Sequence, residues 1–174
     1  MNFNIIVATS NNNGIGINNT LPWKIKSDLK KFKTLTCGSK NNAIVMGKNT
    51  LVSINSKPLP SRDNLILSTS LSIDTSLNDH VFKSFNNIEL LMEYINGKTY
   101  DEVWIIGGKN VYDAFLKSKK VDNIYITYID NDYTCDTFFP TINTDIYKFV
   151  SQSIHKTEKD KFDFQILDRV YKRI

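Results

Sequence analysis

Cysteine and histidine are scarce in this 174-residue chain, which holds two of each. Cys37 and Cys135 lie far apart and lack the short spacings of zinc ligands, which argues against a disulfide framework and a thiolate metal site. His80 and His155 stand alone in the sequence, which argues against a histidine-based metal or relay site; no metal is expected. Long apolar runs are missing too, since none approaches the ~18–20 residues needed to span a bilayer. The start, Met1-Asn2-Phe3-Asn4-Ile5-Ile6-Val7-Ala8, has neither the basic flank nor the long apolar stretch of a secretory signal. The expected location is therefore cytoplasmic, with no membrane partner. No linker, repeat or low-complexity stretch divides the chain, and residues 1–174 read as a single domain.

What is present is an ordinary globular composition, 41% hydrophobic and 23% charged, with length enough to bury a proper core. The net charge is +4. Its lysines are spread over Lys30, Lys31 and Lys33, then Lys117, Lys119 and Lys120, then Lys156, Lys159 and Lys161. Such runs are usually solvated helix faces, and no aromatic-interleaved basic stripe argues for nucleic acid. A modest positive field still favours an anionic ligand.

Apolar runs at Phe3–Ala8, Asn42–Gly47, Asn64–Ser68, Glu102–Ile106 and Asn123–Ile129 read as buried strands, with a weaker one at Val81-Phe82. Helices are expected from about Ile25 to Cys37-Gly38, from Asn49 to Ile54, from an Asn86 N-cap with Glu89 as its return partner to Gly97, and from Gly108 to about Leu116. Asn11 to Gly16 reads as a polar loop. Phe149–His155 and Phe162–Leu167 alternate around Lys156–Asp160 as an antiparallel hairpin. Strands alternating with helices imply an α/β fold: a central, mainly parallel eight-stranded sheet with an antiparallel C-terminal hairpin and about four flanking helices.

Two features carry chemistry. Asp28 opens an amphipathic helix behind Leu21-Pro22-Trp23, with Leu29 and Phe32 on an adjacent face. As a first-turn acid it gains roughly 0.3–1 kcal/mol from the helix dipole; as a pocket carboxylate it binds an amidine-like heterocycle through two hydrogen bonds. The second feature is a pair of strand exits, Gly107-Gly108-Lys109-Asn110-Val111 and Gly47-Lys48-Asn49-Thr50. Glycines there admit a ligand to the backbone, and helix starts attract anions. Two such exits at the carboxyl end of one sheet suggest a dinucleotide across its crevice. Lys48 with Ser68 and Thr69 suits a 2′-phosphate, hence NADPH over NADH.

Taken in order, Gly14-Ile15-Gly16, Leu21-Pro22-Trp23, Asp28, Ile44-Val45-Met46-Gly47-Lys48-Asn49-Thr50, Pro58-Leu59-Pro60-Ser61-Arg62, Ile106-Gly107-Gly108-Lys109-Asn110-Val111-Tyr112 and Asp136-Thr137-Phe138-Phe139-Pro140 resemble the dihydrofolate reductases nearly end to end. The resemblance implies hydride transfer from NADPH to 7,8-dihydrofolate, with tetrahydrofolate feeding one-carbon metabolism and thymidylate synthesis. It implies that Asp28 pairs with the pterin and promotes protonation at N5, that Thr127 bonds this carboxylate, and that Trp23 holds an ordered water. Ile6, Val7, Phe32, Ile54, Leu59, Ile106 and Tyr112 would surround the substrate, and Arg62 would clamp its glutamyl carboxylate. Ala8, Ile15, Gly16, Gly47–Thr50, Leu67, Ser68, Thr69 and Gly107–Val111 would hold the cofactor. Lys109 and Asn110 depart from residues frequent in relatives, as do Leu51 and Asn55. Asp136 reads as a turn cap outside the site. The expected state is a monomer, with association with or fusion to thymidylate synthase as an alternative. A same-fold reductase of another pyrimidine or pterin is the rival reading, and an anion- or RNA-binding module a remoter one.

Overall fold

The computed structural model describes residues 1–156 and 161–174. Its elements are β1 (Asn2–Thr9), β2 (Gly14–Gly16), α1 (Lys26–Cys37), β3 (Ala43–Gly47), α2 (Lys48–Ser53), β4 (Asp63–Leu67), β5 (Asp74–Leu77), β6 (His80–Phe85), α3 (Ile88–Asn96), β7 (Glu102–Gly107), α4 (Lys109–Lys117), β8 (Asn123–Ile129), β9 (Thr137–Phe138), β10 (Tyr147–Ile154) and β11 (Ile166–Arg173).

The main sheet runs β10-β11-β8-β1-β7-β3-β4-β6-β5. The inner pairings from β8 to β6 are parallel, and both edges are antiparallel. Central strands buried on both faces explain the unbroken apolar runs. Side chains alternate along them. Ile5, Val45, Leu65, Val103 and Ile105 face α3 and α4. Ile6, Ile44, Met46, Ile66 and Trp104 face the opposite layer, against Leu51, Phe32 and Leu35.

The sheet has nine strands, one more than the apolar pattern reveals. The added strand, β5, is exposed throughout and so carries no apolar alternation. A turn makes it: Asn78 and Asp79 sit at φ 48° and 67°, and Leu77 pairs with His80 across them. Two successive positive-φ residues are the signature of a type I′ hairpin, which matches the strand twist. The expected polar loop before Gly16 contains a second surprise, because β2 pairs with β9 in a separate two-stranded ribbon.

Other departures are shifts of register. The α3 cap is Asn87, one residue beyond the expected Asn86: it is the Asn87 Oδ1 that accepts from the Leu90 N–H, at 2.9 Å. In the closing hairpin β11 is Ile166–Arg173, not Phe162–Leu167, because Ile166 to Lys172 pair with β8. Phe162 and Phe164 instead stack on each other at 4.9 Å and pack by Trp23, Ile25 and Ile166. Of the expected turn, Thr157–Asp160 lie outside the described residues. No described helix is long and apolar enough to cross a membrane.

Candidate active site

The site opens where two strands part. β1 and β7 pair only up to Ile5 and Ile105, whereas β1 stays paired with β8 through Thr9. On the other side of β7, Val45 pairs with Ile105 and Met46 with Gly107, so Ile106 is an extra residue. A bulge of this kind bends a strand and re-aims side chains. Together these breaks open the sheet at the carboxyl end of its central strands, where ligands of α/β folds bind. A cleft of about 1120 Å³ follows.

At one end stands Asp28, in the first turn of α1. Thr127, buried on β8, donates its hydroxyl to Asp28 Oδ1 at 2.5 Å. Burial raises the Asp28 pKa above the ordinary aspartate range; the Thr127 hydrogen bond and the Lys31 charge oppose that rise. Trp23 and Thr127 stand behind the cleft wall and do not line it. Trp23 packs edge-on to Tyr133 at 5.2 Å. Its Nε1–H is buried with no partner among the described residues, leaving a donor for a bound polar group. His155, isolated in sequence, is not isolated in space: its Nδ1 lies 3.0 Å from Asp168 Oδ1.

Phe32, Ile54, Leu59, Ile6, Val7, Ile106 and Tyr112 line the adjoining stretch. Leu29 sits at its mouth and is 57% exposed, so the expected apolar face of α1 is carried by Phe32. Tyr112 donates to the Ile6 carbonyl at 3.0 Å. Burial, then the nearby Asp28 charge, raise its pKa, so the hydroxyl stays a donor.

Arg62 lies at the same cleft and is only 2% exposed. Its Nε donates to the Pro60 carbonyl at 2.9 Å and its Nη1 to Thr36 Oγ1. Burial lowers its pKa, and no carboxylate pairs with it among the described residues. A buried guanidinium held in place by neutral oxygens and lacking a counter-charge calls for an anion.

The remaining expected residues line the other half: Ala8, Ile15, Gly16, Gly47–Thr50, Leu67, Ser68, Thr69 and Gly107–Val111. This half fits a dinucleotide. Gly107 has φ 118°, and a Cβ there would lie 3.3 Å from Thr50 Oγ1 and from the Tyr112 ring. One on Gly47 would lie 3.2 Å from Val111 Cγ2. The Gly107-Gly108 peptide is cis. Gly108 caps α4 without a side-chain hydrogen bond; the Val111 and Tyr112 amides donate to the Gly108 carbonyl, which leaves the Lys109 and Asn110 amides at the helix start to face a phosphate. Lys48 Nζ donates to Ser70 Oγ at 3.0 Å, and Ser70 lies 3.4 Å from Ser68 Oγ.

Ser70 and Lys33 also line the cleft without belonging to any motif, and so does Asp136, which the sequence places in a turn outside the site. Asp136 is both a turn anchor and a cleft residue: its Oδ2 accepts from the Asn18 N–H at 2.9 Å. Only the β2–β9 pairing brings it there, and that pairing has no periodic signal. No group of three metal-ligating side chains occurs among the described residues.

A family model described as dihydrofolate reductase matches residues 2–173. The dihydrofolate reductase of Drosophila melanogaster is 35% identical over 181 residues, spanning 97% of this chain and 98% of that protein. The bifunctional dihydrofolate reductase-thymidylate synthase of Paramecium tetraurelia is 32% identical over 95% of this chain, which spans 34% of that protein. Among solved structures, the Enterococcus faecalis dihydrofolate reductase complexed with NADP(H) and RAB-propyl has a TM-score of 0.82 at 25% identity, covering 99% of this chain and 96% of that one. With the split sheet, the acid at the head of α1 and a family match spanning nearly every residue, the chain belongs to the dihydrofolate reductase family.

Proposed function

We propose that this chain reduces 7,8-dihydrofolate to 5,6,7,8-tetrahydrofolate, with Asp28 as the pterin anchor and Arg62 as the clamp on the glutamyl carboxylate. One observation carries this reading: a single cleft holds a buried carboxylate at Asp28 and an uncompensated buried guanidinium at Arg62. A folate offers the complement of both, an amino-pyrimidine edge and a carboxylate tail. A same-fold reductase acting on a tail-less pyrimidine has no use for Arg62.

The glycine exits would hold NADPH, with Lys48, Ser68 and Thr69 placed to meet its 2′-phosphate; when bound, that cofactor would supply the hydride chemistry. The protein's work is to bind, orient and exclude water. Asp28 accepts hydrogen bonds from the 2-amino group and N3, and its charge favours a proton at N5, delivered through water near Trp23. Phe32, Ile54 and Leu59 form the apolar wall that keeps the ring in place. Tyr112 holds the Ile6 carbonyl where the substrate and nicotinamide meet.

We read the enzyme as a cytoplasmic monomer acting on small molecules. Association with or fusion to thymidylate synthase is the alternative arrangement. The deciding experiment follows NADPH oxidation with dihydrofolate, with and without methotrexate. Methotrexate-sensitive oxidation is expected; oxidation insensitive to it, or none, overturns the assignment.

A further inference from the structure

We infer that Lys31, Asp168 and His155 form a positioning network behind the pterin-binding carboxylate: Lys31 sets the direction of the Thr127 hydroxyl, and Asp168 with His155 holds Lys31 in place. The inference rests on the reading of Asp28 as the pterin anchor.

The contacts form one line across four segments. Asp28 accepts from Thr127 at 2.5 Å, and Lys31 Nζ donates to the same hydroxyl oxygen at 3.0 Å. Lys31 Nζ also donates to Asp168 Oδ1 at 2.6 Å. His155 Nδ1 lies 3.0 and 3.1 Å from the two Asp168 oxygens. Backbone register builds the line: Asp168 on β11 stands opposite Thr127 on β8. The His155 N–H donates to the Ile166 carbonyl at 2.9 Å, which pins the imidazole beside β11.

Hydrogen-bond chemistry gives the line a direction. An ammonium only donates, and an ionised carboxylate only accepts. Thr127, with one proton, sits between one of each. Its proton therefore points at Asp28 while a lone pair takes the Lys31 N–H. If Asp28 is protonated, Thr127 is left with only an uncharged carbonyl oxygen to donate to, a weaker acceptor than the carboxylate, and Lys31 offers no acceptor in its place. The arrangement thus favours the ionised carboxylate through both charge and hydroxyl orientation. Asp168 is also an acceptor, so His155 Nδ1 carries a hydrogen toward it, and that hydrogen bond restrains the carboxylate gripping Lys31.

The groups bearing on Asp28 come from several elements. Lys31 from α1 and His155 beyond β10 favour its charge, and Asp168 from β11 disfavours it. Tyr112 from α4 feels the Asp28 charge in turn and stays neutral. Lys31 is therefore the fixed cation of the set. It is half-buried, at 21% side-chain exposure, so the solvent screens it incompletely.

The test is a carboxyl-carbon NMR titration of Asp28 in the full, ligand-free chain, with its signal assigned by loss in Asp28→Asn. Lys31→Met is expected to raise the Asp28 midpoint by about one pH unit, and Lys31→Arg to return it to the unsubstituted value. In a Thr127→Val background the Lys31→Met shift is expected to fall to half or less. Lys31→Gln, which keeps a donor but no charge, serves if Lys31→Met does not fold and is expected to shift the midpoint in the same direction. An unchanged midpoint in a folded Lys31 variant overturns the proposal, as does a shift of equal size with and without the Thr127 hydroxyl. His155→Phe is expected to move the midpoint upward and His155→Asn, which keeps a donor near the Nδ1 position but no charge, to move it less; equal midpoints in these two remove the His155 hydrogen bond from the network. No substrate enters the titration, so its outcome is independent of whether the chain oxidises NADPH with dihydrofolate.

Discussion

The Tyr112 hydroxyl and the Ile6 carbonyl meet at 3.0 Å, across the gap where β1 leaves β7. The β1–β7 pairing ends at Ile5, although Ile6 stays in register with Tyr125 of β8, and the tyrosine supplies the Ile6 carbonyl with a donor from α4. Both residues line the cleft. One hydrogen bond therefore satisfies a carbonyl at the edge where the sheet splits.

Tyr112→Phe removes the donor and leaves a buried carbonyl unpaired, at a cost of about 1–3 kcal/mol. A chain of this size should lose about 2–4 °C of Tm per kcal/mol. If the hydroxyl's task is to hold that carbonyl, kcat/KM falls by about 10-fold or less. Thermal scans with steady-state kinetics check this. An unchanged Tm would mean that the Ile6 carbonyl finds another donor.

Asp28→Asn should separate stability from activity. The folded pKa of Asp28 is raised, chiefly by burial, so the folded state binds the proton more tightly than the unfolded state does. The charge is then a cost at neutral pH, and stability from this group is lost as pH rises through the folded pKa. The expected result is a higher Tm than the unsubstituted protein at pH 7, with the gain fading as pH falls toward the ordinary aspartate range. Turnover should drop roughly 100-fold or more, with NADPH binding retained. Near-normal turnover at pH 7 removes Asp28 from the mechanism.

The contrast between legible and illegible parts of this molecule follows from sequence separation. Asp28 and Gly107-Gly108 each sit in a local pattern, a helix start or strand exit, whose chemistry shows within a few residues, whereas Arg62, just before β4, is marked only by the ordered resemblance. The inner strands announce themselves because burial on both faces demands unbroken apolar runs. β5 does not, because its reason for existing is the Asn78-Asp79 turn and not a buried face. Lys31 and Asp168 are 137 positions apart, and their contact depends on which residue of β11 lies opposite Thr127. His155 gains its partner the same way. Ser70 has no sequence signal either, because it meets Lys48 only through the reach of that side chain from the start of α2.

Gly107→Ala tests the cofactor half through the backbone. At φ 118° an L-residue is strained, by about 1–3 kcal/mol. The added methyl would also press on Thr50 Oγ1 and the Tyr112 ring, each 3.3 Å away. Lower Tm and a raised KM for NADPH are expected together, measured by thermal scans and cofactor titration. Loss of stability with cofactor binding intact would mean that the glycine serves the turn alone.

Arg62→Met asks whether a buried cation is kept for folding or for ligand. Its neighbours, the Pro60 carbonyl and Thr36 hydroxyl, are neutral, so they do not repay the desolvation of a charge. Replacing a buried charge with an apolar side chain of similar volume is often neutral or stabilising. An unchanged or higher Tm is therefore expected. If Arg62 is the proposed clamp, its charge-assisted grip on the glutamyl carboxylate is lost in this variant. The loss should be about 2–3 kcal/mol, a roughly 30–150-fold rise in KM for dihydrofolate. A dihydropterin lacking the glutamyl tail separates the two explanations: its kinetics should be the same in Arg62→Met and the unsubstituted enzyme. If the tail-less substrate suffers equally, Arg62 shapes the pterin pocket and the carboxylate clamp must be sought elsewhere.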